Sequence, residues 1–277
     1  MTKEDSKKRG RPKIYSDLAI ETCHTLRLLQ KQALRQTQGF VFSIISLMRL
    51  KLTIPDHTTL SRRLQTVVLP KKVSSSNKPV VVIVDSSGLK VMGEKEWMNY
   101  KHGTRQRKVW RKLHLAIDEQ GEIIAHELTS HTTSDSSQVE TLLTQIEGPI
   151  ETVIGDGGYD QPATYQAIEN QANCQGHSPP QIIIPPNPQF QAIQNDVPHP
   201  RQENQRIIDQ QGRQKWQLQT NYGRRAKVEN TFSRYKTIIG NKIKSQNLKA
   251  QKNEVHIAIL ILNKMHNMRM PKAQKAA

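Results

Sequence analysis

The chain has 277 residues, enough for one large domain or two modest ones, and its 41 Lys and Arg against 24 Asp and Glu leave a formal net charge of +17. That excess points to a polyanionic partner, above all nucleic acid. The cations are spread along the whole chain and form no single amphipathic helix, which argues against an anionic membrane surface. Cys23 and Cys174 form no CxxC and have no Cys/His spacing suited to zinc. The longest apolar runs, 80–84 and 257–262, are far too short to span a bilayer, and the basic start lacks an apolar signal stretch. The expectation is a cytoplasmic protein in a reducing compartment.

Residues 1–15 read as a basic, disordered arm, with an Arg-Gly-Arg-Pro core like that of a minor-groove AT-hook. Residues 16–70 read as helical. Ser16 or Asp17 can cap a first helix, and Phe40, Val41, Ile44, Ile45 and Met48 keep helical spacing in a second. After Pro55, a cap at Asp56 or Thr58 opens a short helix carrying Arg62 and Arg63. Helix, turn and short basic helix is the pattern of a helix-turn-helix DNA reader, and equally of a small three-helix bundle. A Ser-rich linker follows at 71–79.

From 79 to 270 the pattern is α/β. "VVVIVD" predicts a buried strand ending at Asp85, and "VWRKLHLAID" and "EIIAHELTS" predict a hairpin turning at Glu119–Gly121. "SDSSQVETLLTQIE" predicts a capped helix, "ETVIGDGGYD" a strand ending at Asp156, "PATYQAIENQ" a helix and "PQIIIPP" a short strand. Strands that first meander and then alternate with helices predict a mixed sheet flanked by helices. Residues 186–219, rich in Gln, Asn and Pro, read as an insertion with one or two short elements. Helices over 223–239 and 251–268 close the chain.

The repeated pattern of a strand running into aspartate and then small residues, at Asp85 and at Asp156, allows two readings. Each aspartate can simply cap its turn. If the two strands are parallel neighbours, the carboxylates instead converge beyond the strand ends, and their repulsion calls for a shared proton or a divalent cation such as Mg²⁺. Treating 223–239 as one helix puts Tyr222, Arg225, Glu229 and Lys236 within an arc of roughly 60° along about 20 Å of axis, beside a stripe of Val228, Phe232, Tyr235 and Ile239. A surface Arg225–Glu229 pair, worth only ~0.3 kcal/mol in that order, is a weak reason for such a pattern.

Tyr222, Arg225, Glu229 and Lys236 stand at the spacing Y-(2)-R-(3)-E-(6)-K. With both upstream aspartates, the chain resembles bacterial insertion-sequence transposases of the DDE type. "GRPKIYSDLAI", "PDHTTLSRR", "VDSSGLKV", "WRKLHLAID", "TSDSSQVETLL", "GDGGYD" and "GRRAKVENTFSRYK" are similar, in this order, to blocks of the insertion-sequence-five family. The resemblance implies a ribonuclease-H-like catalytic domain in which Asp85, Asp156 and Glu229 hold two Mg²⁺ or Mn²⁺ ions for phosphoryl transfer. It implies that Tyr222, Arg225 and Lys236 grip the DNA backbone. The implied partners are terminal inverted repeats and target DNA, bound by a homodimer or larger assembly at the bacterial nucleoid. Relatives often carry a further segment before the block matching "GRPKIYSD", which raises the expectation of a truncated gene or a misplaced start.

Other residues invite weaker readings. Trp97 and Trp110 among the cations of 101–112 suit either DNA contact or a hairpin core. His114, His126 and His131 read as ordinary strand and loop positions. Ser86 and Ser87 have no histidine base at motif spacing. The competing functions are a DNA-binding protein without catalysis, against which the intact acids argue, and a plain nuclease, against which the N-terminal basic helices argue.

Overall fold

The computed structural model describes residues 14–70, 79–91, 110–188 and 200–268. The basic arm, the Ser-rich linker, Trp97 with the cations of 101–109, and the start of the Gln/Asn-rich segment at 189–199 lie outside them. The chain divides into two units, Met1–Leu69 and Pro70–Ala277.

The first unit holds three helices: α1 (Asp17–Leu29), α2 (Leu34–Leu47) and α3 (His57–Arg63). Ser16 caps α1 by accepting from the Ala19 amide. Asp56 caps α3 by accepting from the amides of Thr58 and Thr59, both at 2.8 Å. Ile20, Cys23, Leu28, Val41, Leu60, Leu64 and Val67 are buried in it, and His24 bonds the Leu60 carbonyl at 3.1 Å. Residues 48–56, which include Pro55, separate α2 from α3.

The second unit is built on a six-stranded mixed sheet: β1 (Val80–Val91), β2 (Trp110–Ile117), β3 (Ile123–Ser130), β4 (Ile150–Ile154), β5 (Gln181–Ile183) and β6 (Lys242–Ile243). The order is β3-β2-β1-β4-β5. The first three strands form an antiparallel meander, β4 and β5 run parallel to β1, and β6 pairs with the far end of β1. The hairpin turns at 118–122, where Gly121 takes φ +90°. Val82, Val84, Ala116 and Ile124 pack under α4 (Val139–Leu143) and α5 (Pro162–Gln175). The intervening residues Ile83, Leu115 and Ile117 turn to the other face, toward α8 (Ala226–Ile238) and α9 (Leu248–Asn267). This order and layering are those of a ribonuclease-H-like fold.

Among its described residues the Gln-rich segment, read as holding one or two short elements, carries two helices, α6 (Pro200–Gln211) and α7 (Arg213–Gln219). Three local expectations change. β1 continues past Asp85 to Val91, because Asp85 through Lys90 stay paired with β2. The helix expected after Ser134 is a 3₁₀ turn at Ser136–Gln138 followed by the short α4. The helix expected over 223–239 begins only at Ala226. Asn221 takes a left-handed φ of 54°, and Tyr222–Arg225 form a 3₁₀ turn.

Candidate active site

Asp85 and Asp156 are levelled by strand register. Ile83 of β1 pairs with Ile154 of the parallel β4, and each aspartate stands two residues further on. Both side chains are also held by nearby backbone amides. Asp85 Oδ1 accepts from the Ser86 amide at 2.7 Å, and Asp156 Oδ1 accepts from the Gly158 amide at 2.8 Å. A Cβ on Gly158 would stand 3.0 Å from that oxygen, so a residue without a side chain lets the turn close. The turn-capping and convergence readings hold together for Asp156 alone. Asp85 lies inside the continuing β1 and caps no turn, but in both residues one carboxylate oxygen is held by a backbone amide while the other faces a common neighbour.

That neighbour is Arg225. Its Nη1 donates to Glu229 Oε1 at 2.6 Å, and its Nη2 lies 3.4 Å from Asp85 Oδ2 and 3.9 Å from Asp156 Oδ2. One guanidinium thus faces carboxylates from β1, from the turn after β4 and from the first turn of α8. The Asp85 side chain is 15% exposed and that of Glu229 55%, so the group runs from the sheet to an open rim. Burial above all raises the Asp85 carboxyl above its ordinary range, and the charges of Asp156 and Glu229 add to it. The Ser86 amide and Arg225 oppose the shift. Burial works against the charge of Arg225, but the carboxylates of Asp85 and Glu229 favour it and its guanidinium stays protonated.

Tyr222 stacks against Trp216, with ring centroids 5.0 Å apart, and its phenol is raised mainly by burial. Lys236 is exposed two turns along α8 from Glu229. A groove of about 560 Å³, lined in part by Gln214, Gln217, Leu218, Tyr222, Arg225 and Glu229, opens beside the acids. The other two candidates lie in the first unit. Arg62 is exposed and, among the described residues, reaches only Thr58, at 3.4 Å. The Arg63 side chain is 13% exposed, ion-paired to Asp17 and donating to the Tyr15 carbonyl at 2.9 Å, so it ties α3 to α1.

The donor set suits a hard divalent cation, since all three acids offer oxygen only. Among the described residues no three acidic, cysteine or imidazole side chains converge closely enough to hold an ion as they stand. The guanidinium stands among the three acids instead. The histidines go elsewhere. His114 is opposite Ser86 across the β1–β2 pair, but it is buried, with Nε2 2.9 Å from Thr129 Oγ1 and Nδ1 3.4 Å from Asp135 Oδ1, so it forms no Ser–His couple. His126 Nε2 lies 3.0 Å from His256 Nδ1, and His131 is exposed.

Sequence reasoning missed the support of this site. Asp160, four residues past Asp156, is buried and accepts from Tyr165 Oη (2.8 Å), the Asn187 amide (2.7 Å) and Arg201 Nε (3.0 Å). Asn204 of α6 donates to the Ile182 carbonyl of β5 and accepts from Trp216 Nε1, both at 2.9 Å. The chain of contacts thus runs from β5 through α6 to Trp216 and so to Tyr222. Its only signal was the second aspartate of "GDGGYD".

Among the described residues no helix is long and apolar enough to cross a membrane. Residues 76–264 match a family model described as a transposase DDE domain, and residues 1–94 match a second model of the same description. Such proteins bind DNA and cleave it with the help of divalent metal ions. The matched span covers more than half of the chain and contains every acid of the Arg225 cluster: the chain belongs to the DDE-domain transposases, DNA polynucleotidyl transferases with nuclease activity.

Proposed function

We propose that the protein cleaves DNA at the ends of a mobile insertion sequence and joins the freed ends to target DNA, with Asp85, Asp156 and Glu229 as metal ligands. The observation that carries this reading is the meeting of carboxylates from three separate elements around one guanidinium. These acids would hold two Mg²⁺ or Mn²⁺ ions, which would supply activation of a water or 3′-hydroxyl and stabilisation of the leaving oxygen in an in-line phosphoryl transfer. The protein's own groups do the positioning. Asp85 and Asp156 are levelled by strand register, and the Ser86 and Gly158 amides each fix one carboxylate oxygen, leaving the other free to turn toward an ion. Tyr222, Arg225 and Lys236 line the approach and hold the DNA backbone, with Tyr222 fixed against Trp216.

The spacing of Tyr222, Arg225, Glu229 and Lys236 supports assignment to the insertion-sequence-five group, whose substrates are terminal inverted repeats. In the first unit Arg62 is the cation offered to a DNA phosphate, while Arg63 maintains the helix packing. Cutting and joining two ends calls for a dimer or larger assembly on DNA. The test is cleavage of a labelled duplex carrying the element's own end. Asp85→Asn, Asp156→Asn and Glu229→Gln are each expected to lose about 1,000-fold or more in rate, some 4 kcal/mol of transition-state stabilisation. Metal-dependent cutting that survives all three substitutions overturns the assignment.

A further inference from the structure

We infer that Arg225 is the resident counter-cation of the three acids, that it and the divalent metal exclude each other, and that DNA phosphate draws it away, so that DNA loads the site with metal. The inference rests on the metal-site reading above and concerns what stands in that site before DNA arrives.

The geometry is that of an occupant rather than a neighbour. Arg225 reaches all three carboxylates through two nitrogens, at 2.6, 3.4 and 3.9 Å. Oxygens that ligate Mg²⁺ or Mn²⁺ stand about 2.1 Å from the ion, so they must close on a single point that the guanidinium now separates. In charge terms, one guanidinium leaves two of three negative charges uncompensated. That is enough to hold the acids together, and less than a divalent ion offers. The arrangement also leaves Arg225 incompletely satisfied, because its buried Nε has no hydrogen-bond partner among the described residues. A phosphate presents several oxygens to the guanidinium fork and can engage Nε together with an Nη. The groove beside Arg225 and Glu229 gives the side chain a path toward such a phosphate.

If metal and arginine compete for the acids, and arginine and phosphate pair outside them, binding of DNA and of metal must strengthen each other by the same factor. Without DNA, Arg225 keeps metal affinity low. With DNA, the arginine is engaged and the acids are free.

The test is Mn²⁺ titration of the full chain without DNA, followed by the electron paramagnetic resonance of free Mn²⁺. Arg225→Gln should bind Mn²⁺ about tenfold more tightly than wild type, within the usual range of coupling between sites. Arg225→Lys keeps the charge on a single point without the fork, and should fall between the two. A short duplex of arbitrary sequence at low salt, corrected for Mn²⁺ bound by the duplex alone, should tighten Mn²⁺ binding to wild type and leave Arg225→Gln unchanged. The duplex effect on wild type needs no substitution, so its absence overturns the inference even where a variant misfolds, while its loss in Arg225→Gln separates arginine exchange from direct ligation of the ion by phosphate. Equal or weaker Mn²⁺ binding by both Arg225 variants, or no duplex effect on wild type, overturns the inference and makes Arg225 a residue that merely assembles the acids. Asp85→Asn in the same assay should lose Mn²⁺ binding. If it binds like wild type, the metal-site reading itself has failed, which is a different result from a failure of the exchange.

Discussion

Arg201 Nε lies 3.0 Å from both carboxylate oxygens of Asp160, with the Asp160 side chain fully buried and that of Arg201 10% exposed. This pair joins the turn after β4 to α6, and through Asn204 to Trp216, whose ring packs against Tyr222. Replacing Arg201 by methionine leaves a buried carboxylate without its cation, at a cost of about 3–5 kcal/mol. Urea unfolding should show that loss. The pair Asp160→Asn with Arg201→Met should recover part of it, since no buried charge then remains. A loss under about 1 kcal/mol in the single variant would mean that the ion pair does not anchor α6.

Asp85 should make the metal-free protein less stable at neutral pH. Its folded carboxyl is raised, first by burial and then by Asp156 and Glu229. A raised acid contributes its full stability below the ordinary carboxylate range and loses it as pH rises through the folded value. Asp85→Asn removes that cost, so its melting temperature at pH 7 without metal should exceed that of wild type. The advantage should fade as the pH is brought down toward 4. A variant that melts below wild type at pH 7 contradicts the assignment of burial as the dominant influence on Asp85.

The strands were legible because buried β1, β4 and β5 are apolar runs and β2–β3 turn at a glycine. The full length of β1 was not, since the pairing of Asp85–Lys90 with β2 leaves no apolar run in "DSSGLK". Helix α6 was invisible to apolar periodicity because its buried residues are Arg201 and Asn204, which meet Asp160 and a β5 carbonyl rather than a hydrophobic core. The helix over 223–239 was drawn a turn too long because side-chain spacing does not show that Asn221 takes positive φ. In the candidate site, repeated strand-end aspartates suggested convergence, and the parallel β1–β4 register supplies it. The role of Arg225 was half visible. Its i,i+4 pairing with Glu229 is local, but Asp85 lies 140 residues away, and no local pattern joins them.

His114 predicts a loss of stability on acidification. It is buried, and desolvation first, then Lys112, against the pull of Asp135 and Glu127, lowers it from 6.5 to about 4. The unfolded chain takes up the proton below 6.5 while the folded chain does not, so stability falls as pH drops through that window. Between pH 7 and 5 the contribution of His114 is roughly 2 kcal/mol, taking 1.36 kcal/mol per unit. His24, lowered to about 4, and His126, lowered to about 3, act in the same direction. Denaturant unfolding of His114→Gln should show a pH 7 to 5 decline flatter than wild type by about that amount. An unchanged slope would show that His114 is charged in the folded state.

Three cations separate binding from packing. Lys236 and Arg62 are exposed, and neither is ion-paired to an acid among the described residues, whereas Arg63 is paired to Asp17 and largely covered. A cation that neutralises one DNA phosphate releases one condensed counterion, so its removal should lower the slope of log affinity against log salt by about 0.9. Lys236→Ala and Arg62→Ala should each show that change with a duplex of arbitrary sequence, at unaltered melting temperature. Arg63→Ala should behave differently. It strips the cation from Asp17 and the donor from the Tyr15 carbonyl, both partly buried, so the first unit should melt earlier, with a salt slope nearer to wild type. A full-sized change in slope for Arg63→Ala with no loss of stability would instead mean that the arginine leaves Asp17 when DNA binds.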